Sequence, residues 1–266
     1  MTKEIVVLGA KGFVGSRICQ HLSTDHNVHA VSRNNLNLLN CSEVADFLKQ
    51  QHADVIINAA ATMTDNMLLQ DTRNNLGIFM NFLNQRHLFK KFINLASGAE
   101  YDRTRNINNV REQEIFDRLP LDSYGFGQNI KSRLCVETEN FYNLRIFNCF
   151  GQGEIATRIF PKLLNDTLDG FAVSDNRYFD YFYIKDLLTV VEHYVNEDDL
   201  VKDINCVYTQ KHKISTVVEK FMQYQNIKKH MTVVSESQSN YTGDGTQLAD
   251  LNLPLHGLDQ GLFEYE

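Results

Sequence analysis

Three groups of residues are placed where they could do chemistry. Gly9, Gly12 and Gly15, in VVLGAKGFVGSRI, follow an apolar run and lead into helical spacing. Glycine lets such a turn bend and lets backbone N–H groups approach a pyrophosphate at the start of the next helix. The strand–turn–helix context favours a dinucleotide over a turn that needs glycine only sterically. Ser32 and Arg33 close the second apolar run. An acidic residue there would bind a ribose 2′-OH; a guanidinium instead suits a 2′-phosphate, because its fork donates two hydrogen bonds at once. NADP is therefore favoured, with NAD the other possibility, and a solvated surface arginine is the bland reading. Ser97 ends KFINLAS, and Tyr124 opens the helical stretch SYGFGQNIK with Gln128 four residues later. Alone, Ser97 reads as a strand-end turn residue and Tyr124 as a helix-start aromatic. A phenol is also a candidate acid or base.

These residues need a frame, and the chain supplies one. EIVVLG (4–9), NVHAVS (27–32), DVIINAA (54–60), KFINLAS (91–97) and NLRIFNCF (143–150) read as strands. Val14, Ile18 and Leu22, then Val44, Phe47 and Leu48, then Leu76, Phe79, Met80 and Leu83 recur at helical spacing. A further helix spans about 124–140, with Ile130, Leu134 and Phe141 on one side. The alternation predicts an α/β fold: a Rossmann-type, doubly wound parallel sheet covered by helices on both faces. After Gly151 the rhythm changes. A helix begins near Pro161, the stretch 178–195 is a short extended piece feeding a helix, and a loop-rich tail follows. The expected division is a nucleotide-binding domain over 1–150 with a return near 172–195. Residues 151–171 and 196–266 form a small α+β substrate lobe.

Composition narrows the function. The 266 residues are 43% hydrophobic and 22% charged, with a net charge of −7. That is ordinary for a soluble globular protein and argues against a nucleic-acid partner. No apolar stretch approaches the ~20 residues a bilayer requires, and the N-terminus enters a strand at once, so no signal peptide is expected. Cys19, Cys41, Cys135, Cys149 and Cys206 are scattered, odd in number and without CxxC spacing, which points to free thiols in the cytoplasm. His21, His26 and His29 straddle a helix end and a strand, so no metal site is expected. Asp198-Asp199 reads as a solvated turn. The stretch 242–254 is glycine-containing but follows no strand–helix switch.

In order along nearly the whole chain, several motifs resemble those of the extended short-chain dehydrogenase/reductases, in the NAD-dependent epimerase/dehydratase group that acts on nucleotide sugars. They are GAKGFVG at 9–15, NAAA at 58–61, NNLG at 74–77, LASGAEY at 95–101, the Tyr124-Gly125 pair, LRIFNCFGQGE at 144–154 and FDYFYIKDL at 179–187. NLNLLN at 35–40 followed by ADVIINAAA is most similar to the reductase and epimerase–reductase branch that finishes 6-deoxysugars. The resemblance implies that Gly9, Gly12, Phe13, Val14 and Gly15 line the pyrophosphate and that Asn37 and Leu38 flank the adenine. Ala59, Ala60 and Ala61 would pass beneath the cofactor, with Asn75 at the nicotinamide end. Ser97 and Tyr124 would converge on the reacting C–O group, and Asn148 would sit near the substrate phosphates. It also implies a homodimer through helices near 68–88 and 124–140, with Leu68, Leu69 and Phe126 as candidate contacts.

Two positions depart from the family pattern. Gln128 replaces the family lysine, so it can donate to the nicotinamide ribose but brings no charge. Phe179 stands where the family has an arginine, leaving Arg158 or Arg177 to contact the substrate phosphate. The first loss is asymmetric. A phenol with a pKa of ~10 is almost wholly neutral near pH 7, so it can still donate a proton to a ketone being reduced. Oxidising an alcohol needs the phenolate, which the lysine would favour. Whether Lys131, three residues on, reaches inward stays open at this point. The expected function is NADP-dependent reduction, or epimerisation and reduction, of a nucleotide-linked 4-keto-6-deoxysugar. The alternatives are a nucleotide-sugar 4-epimerase or dehydratase and a non-catalytic NAD(P)-binding regulatory or assembly subunit.

Overall fold

The computed structural model describes residues 1–61 and 69–265. Its strands are β1 (Glu4–Leu8), β2 (Asn27–Val31), β3 (Val55–Asn58), β4 (Lys91–Ser97), β5 (Ile107–Val110), β6 (Phe141–Ile146), β7 (Cys149–Phe150), β8 (Gly170–Val173), β9 (Phe182–Tyr183), β10 (Asp203–Cys206), β11 (His230–Val233) and β12 (Tyr241–Gly243). Its helices are α1 (Phe13–Leu22), α2 (Cys41–Gln51), α3 (Leu69–Asn84), α4 (Ser123–Glu137), α5 (Ile159–Asn165), α6 (Ile184–Asn196), α7 (Ile214–Tyr224), α8 (Thr246–Asp250) and α9 (Gly257–Phe263). Among the described residues, no helix is long and apolar enough to cross a membrane.

Six strands form one parallel sheet in the order β10-β6-β4-β3-β1-β2. The chain steps from β1 to β2, then returns to add β3, β4, β6 and β10 on the other side. The carboxyl ends of β1 and β3 part at this reversal, which is where open α/β sheets bind ligands. Covered on both faces, the inner strands are continuous apolar runs. Side chains alternate between two cores. Ile5 and Val7 pack with Ile18, Leu22, Val190 and Val191 under α1 and α6. Val6 and Leu8 pack with Val44, Leu48, Phe79 and Phe82 under α2 and α3.

The expected sheet and its alternation are present, with four differences. The stretch 143–150 is two strands, β6 beginning earlier at Phe141 and β7 pairing separately with β9. Residues 203–206, placed with the lobe on sequence grounds, hydrogen-bond to β6 at the edge of the central sheet. The tail is more ordered than its composition suggests, because β12 pairs in parallel with the distant β5. The helix at 124–140 also turns a different face inward. It ends at Glu137, and its buried residues include Gln128, Asn129, Lys131, Ser132 and Cys135, while Ile130 and Leu134 are only half-buried. A polar interior explains this choice of face.

That interior is a ladder of side chains across four paired strands. Asn58 Nδ2 donates to Asn94 Oδ1 (3.0 Å), Asn94 Nδ2 to Asn143 Oδ1 (2.8 Å), and Asn143 Nδ2 to Asp203 Oδ1 (2.9 Å). The ladder ends at Arg145, which has no exposed surface. Its Nη2 bonds Asp203 Oδ2 at 2.8 Å, its Nη1 bonds Asn205 Oδ1 at 3.0 Å, and its Nε bonds Glu100 Oε2 at 2.7 Å. The Tyr101 ring lies 5.0 Å from the guanidinium. Removing one partner of a buried ion pair leaves the other charge unpaired, which costs about 3–5 kcal/mol. Arg145→Met should therefore lower stability by about that amount, measured by urea denaturation, because two carboxylates lose their partner. A change within about 1 kcal/mol would contradict this account of the core.

Candidate active site

Ser97 is the last residue of β4 and caps a 3-10 turn, Gly98–Glu100. Its Oγ accepts from Ala99 N at 3.2 Å, and its own N–H donates to Glu100 Oε1 at 3.1 Å. Glu100 thus holds Ser97 with one carboxylate oxygen and Arg145 with the other. Tyr124 sits at the first turn of α4, whose N-cap Asp122 accepts from Gly125 N at 2.8 Å. The helix lies directly on the serine turn. A Cβ at Gly125 would come within 2.4 Å of the Ala99 carbonyl oxygen, so only glycine permits this approach. Asn129 Nδ2 fixes the contact by donating to Glu100 O at 2.9 Å and Ile115 O at 3.0 Å.

Ser97 and Tyr124 open into a cavity of about 530 Å³, together with Asn148, Arg158 and Arg177. All five expected catalytic and substrate-contacting residues therefore meet in one place. Arg158 Nη1 donates to Asn148 Oδ1. Arg177 lies over the Phe179 ring at 5.5 Å, so a guanidinium reaches the cavity from two residues before the position where the family has its arginine. Phe179 in turn stacks on Tyr241 (5.2 Å), Tyr241 meets Phe147 edge-on (5.1 Å), and Phe147 stacks on Tyr101 (6.0 Å). This train of rings runs from the cavity to the Arg145 centre.

A second cavity, of about 640 Å³, lies at the reversal of strand order. Gly9, Gly12, Ser32, Arg33, Asn37, Leu38, Ala59, Ala60 and Ala61 line it as expected. Phe13, Val14, Gly15, Asn75, Tyr124 and Gln128 do not. Phe13 and Val14 pack on the core of α1. Gly15 abuts the loop backbone, where a Cβ would be 2.3 Å from Gly9 O. Asn75 is buried in α3 while its neighbour Asn74 faces the cavity. Tyr124 lines the first cavity, and Gln128 is buried behind it.

These residues fit a dinucleotide on two observations. Gly9 adopts φ +76, and a Cβ there would meet Ala59 O at 2.6 Å, so glycine alone lets the loop lie against 59–61. Gln128 Oε1, beside Tyr124, is buried without a hydrogen-bond partner. The glycine loop also leaves the first-turn N–H groups of α1 without intrahelical acceptors.

The electrostatics at Tyr124 answer the question posed by the missing lysine. Burial pushes its pKa above the ordinary phenol value, against hydrogen bonding by Ser97 and Gln128 and the charge of Arg103. Lys131 does turn inward, but towards Glu100 and Cys135, where burial pushes it down to about 8. It lines neither cavity.

Sequence reasoning missed Arg103, Arg105, Asn240 and Tyr241 in the first cavity and Lys11 in the second. Two signals were readable: a lysine inside the glycine loop, and a pair of arginines just past the end of a strand. Nothing local marked Tyr241.

A model of the family described as "NAD dependent epimerase/dehydratase family" matches residues 5–206. An ADP-L-glycero-D-manno-heptose-6-epimerase from Cupriavidus pinatubonensis (strain JMP 134 / LMG 1197) is 29% identical over 179 residues, 56% of this chain. The match spans about half (52%) of that curated relative's length. A GDP-mannoheptose C4 reductase from Campylobacter jejuni with NADP bound superposes with a TM-score of 0.80 at 20% identity, covering 98% of this chain and 96% of that one. A GDP-L-fucose synthetase from Naegleria fowleri bound to NADP gives a TM-score of 0.83 at 15% identity, covering 100% and 92%. The glycine loop, the strand order and the family match agree: the chain belongs to the NAD-dependent epimerase/dehydratase family, whose fold it shares.

Proposed function

We propose that this chain is an NADP(H)-dependent reductase of a nucleotide-linked keto-sugar. The observation that carries the reading is the convergence of Ser97 and Tyr124 with Asn148, Arg158 and Arg177 in one cavity. The cofactor would lie along Gly9, Gly12 and Ala59–Ala61 with its 2′-phosphate at Arg33, and Gln128 Oε1 would accept from a ribose hydroxyl. Bound there, the nicotinamide supplies hydride. Ser97 polarises the carbonyl, and Tyr124 gives its proton to the oxygen. The arginines hold the diphosphate. The lobe segments 151–171 and 196–266 contribute Arg158, Asn240 and Tyr241 to this cavity, which supports their reading as substrate-binding. Five free cysteines suit a cytoplasmic setting.

The raised pKa of Tyr124 supports the reducing direction. The neutral phenol is the form a reductase uses, whereas a 4-epimerase or 4,6-dehydratase begins by oxidation and needs the phenolate. Reduction should be insensitive to Tyr124 ionisation through the neutral range; oxidation should climb as pH approaches the phenol's pKa. Screening the protein against a panel of nucleotide keto-sugars while following NADPH absorbance tests the reading. Tyr124→Phe should lower turnover by about 10²–10⁴-fold, the worth of a positioned acid, and leave cofactor binding nearly unchanged. Turnover that survives this substitution would overturn the assignment, and no turnover of any compound would favour a non-catalytic subunit.

Arg33→Ala should weaken NADP binding by about tenfold or more, since hydrogen bonds to charged groups are worth ~1.5–3 kcal/mol. NAD binding should not move. Equal calorimetric affinities of the parent protein for both cofactors would contradict the assignment.

A homodimer through α3 and α4 is part of the proposal. Leu69 is 67% exposed and Phe126 39% exposed, more apolar surface than either helix needs for its own packing; Leu68 lies outside the described residues. Sedimentation equilibrium at micromolar concentration should give twice the chain mass, and Phe126→Glu should shift it towards the monomer. A parent protein that sediments only as a monomer would remove the dimer from the reading.

A further inference from the structure

We propose that Arg103 supplies the positive charge at the reacting centre that the chain lacks at position 128, and that it acts by stabilising the phenolate Tyr124 becomes once its proton has left. The inference rests on the reductase reading of this site and deepens it. Arg103 lines the first cavity together with Ser97 and Tyr124. Its Nη2 donates to Asp122 Oδ1 at 2.8 Å, and the same oxygen accepts from Gly125 N at 2.8 Å. The two nitrogens can therefore be no more than twice that distance apart. Asp122 is the N-cap of α4, and Tyr124 stands between it and Gly125. The guanidinium is thus fastened to the turn of helix that carries the phenol. A lysine at 128 would come from the next turn of the same helix; Arg103 comes from the loop after the serine turn.

This cation is fixed at both ends. Asp102 folds its backbone: Asp102 Oδ1 accepts from Thr104 N at 3.1 Å and from Thr104 Oγ1 at 2.7 Å, and the Asp102 carbonyl accepts from Arg105 N at 3.1 Å. Asp122 holds its tip. A charge set in place beforehand costs no reorganisation when the opposite charge develops. Asp122 does not cancel it, because its carboxylate also faces the N-terminus of α4, where the helix dipole is positive. The side chains of the pair are 36% and 40% exposed in the free chain. A sugar in the cavity would cover them, and a charge shielded from water is felt more strongly.

The groups around the phenol leave this duty to Arg103. Ser97 and Glu100 face it from β4 and its turn, Tyr241 from β12, and Asp122 and Gln128 from α4. Burial is the largest influence on Tyr124; of the charged groups, Glu100 acts upward and Arg103 downward. Burial likewise keeps Tyr241 protonated, with Arg103 the first influence against it, so the guanidinium faces both phenols. In the reduction, the keto carbon takes up hydride from the reduced dinucleotide and the C=O π pair moves to oxygen. That oxygen takes the Tyr124 proton, and the electron pair of the broken O–H bond stays on the phenol oxygen until solvent reprotonates it. Arg103 stabilises this charged state and barely touches the neutral phenol before it, so its effect falls on the chemical step.

Arg103→Gln removes the charge and keeps an N–H donor for Asp122. We expect kcat for NADPH-dependent reduction to fall about three- to tenfold, with KM within about twofold of the parent value. Arg103→Lys should recover most of the loss, since the charge and not the fork is what acts. A readout independent of turnover is the ionisation of Tyr124 in the free protein, followed by ¹³Cζ-tyrosine NMR and assigned with Tyr124→Phe. Arg103→Gln should raise its midpoint by about half a unit, a screened fraction of what a buried cation gives, and Arg103→Lys should restore it. Asp122→Asn keeps the cap and the acceptor for Arg103 but removes the counter-charge, so it should lower the midpoint. A merely structural pair would be weakened alike by both changes, so shifts of the same sign would overturn the proposal. A raised KM with parent-like kcat in Arg103→Gln would overturn it too, by making Arg103 a substrate-binding group. If the parent protein reduces no nucleotide keto-sugar, the reductase reading fails and the titration alone decides. An unmoved Tyr124 midpoint in Arg103→Gln then refutes the role of Arg103.

Discussion

The Arg145–Glu100 contact is the interaction on which the site depends. A guanidinium with no exposed surface is tolerated only because three partners and an aromatic face surround it. Glu100 spends one carboxylate oxygen on that charge and the other on the Ser97 backbone N–H. The position of the candidate catalytic serine is thus set by a buried ion pair and not by the loop it belongs to. Asn129 then ties α4, and with it Tyr124, to the carbonyl of the same glutamate. The asparagine ladder extends the constraint across the sheet. A strand slipped by one residue would turn its rung to the opposite, apolar face, so the ladder also fixes register.

The same network accounts for the chemistry of Tyr124. A lysine at position 128 would stand beside the phenol and favour its ionised form. This chain keeps a buried lysine, but one turn further along α4, where it faces Glu100 instead. The cation thus lies on the core side of α4, within the field of Glu100, and is not among the groups that act on the Tyr124 phenol. Burial dominates at the phenol, and a neutral phenol is a proton donor. The neutral side chain at 128 and the inward turn of Lys131 together leave the phenol without a neighbouring ammonium.

The glycine loop, the alternating strands and the hydroxyl pair were legible because each is written locally. A turn needs particular glycines, a buried strand needs an unbroken apolar run, and a motif keeps its order along the chain. Tyr241 was not legible, since β12 spans three residues and gains meaning only by pairing with β5. The ladder escaped for another reason. Asn58, Asn94, Asn143 and Asp203 sit singly in separate strands, and an asparagine in a strand gives no sign of which rung it will meet. The face of α4 was misplaced because apolar periodicity marks burial only when the interior is apolar. Gln128, Lys131 and Ser132 face a polar interior that periodicity cannot detect.

Charge separates the cavity from the rest of the molecule. The chain carries a net charge of −7, yet Arg103, Arg105, Arg158 and Arg177 all line the first cavity. Asp122 is the carboxylate among its lining residues, and Arg103 already pairs with it at 2.8 Å. An anionic ligand is therefore attracted at this mouth against the net charge of the chain, and low-dielectric walls focus the field there. The arrangement selects for charge before any neutral group is read. An anion at this mouth meets Arg158 and Arg177 without needing a cation at position 179. That position is then free to hold a ring, and Phe179 stacks on Tyr241 at 5.2 Å.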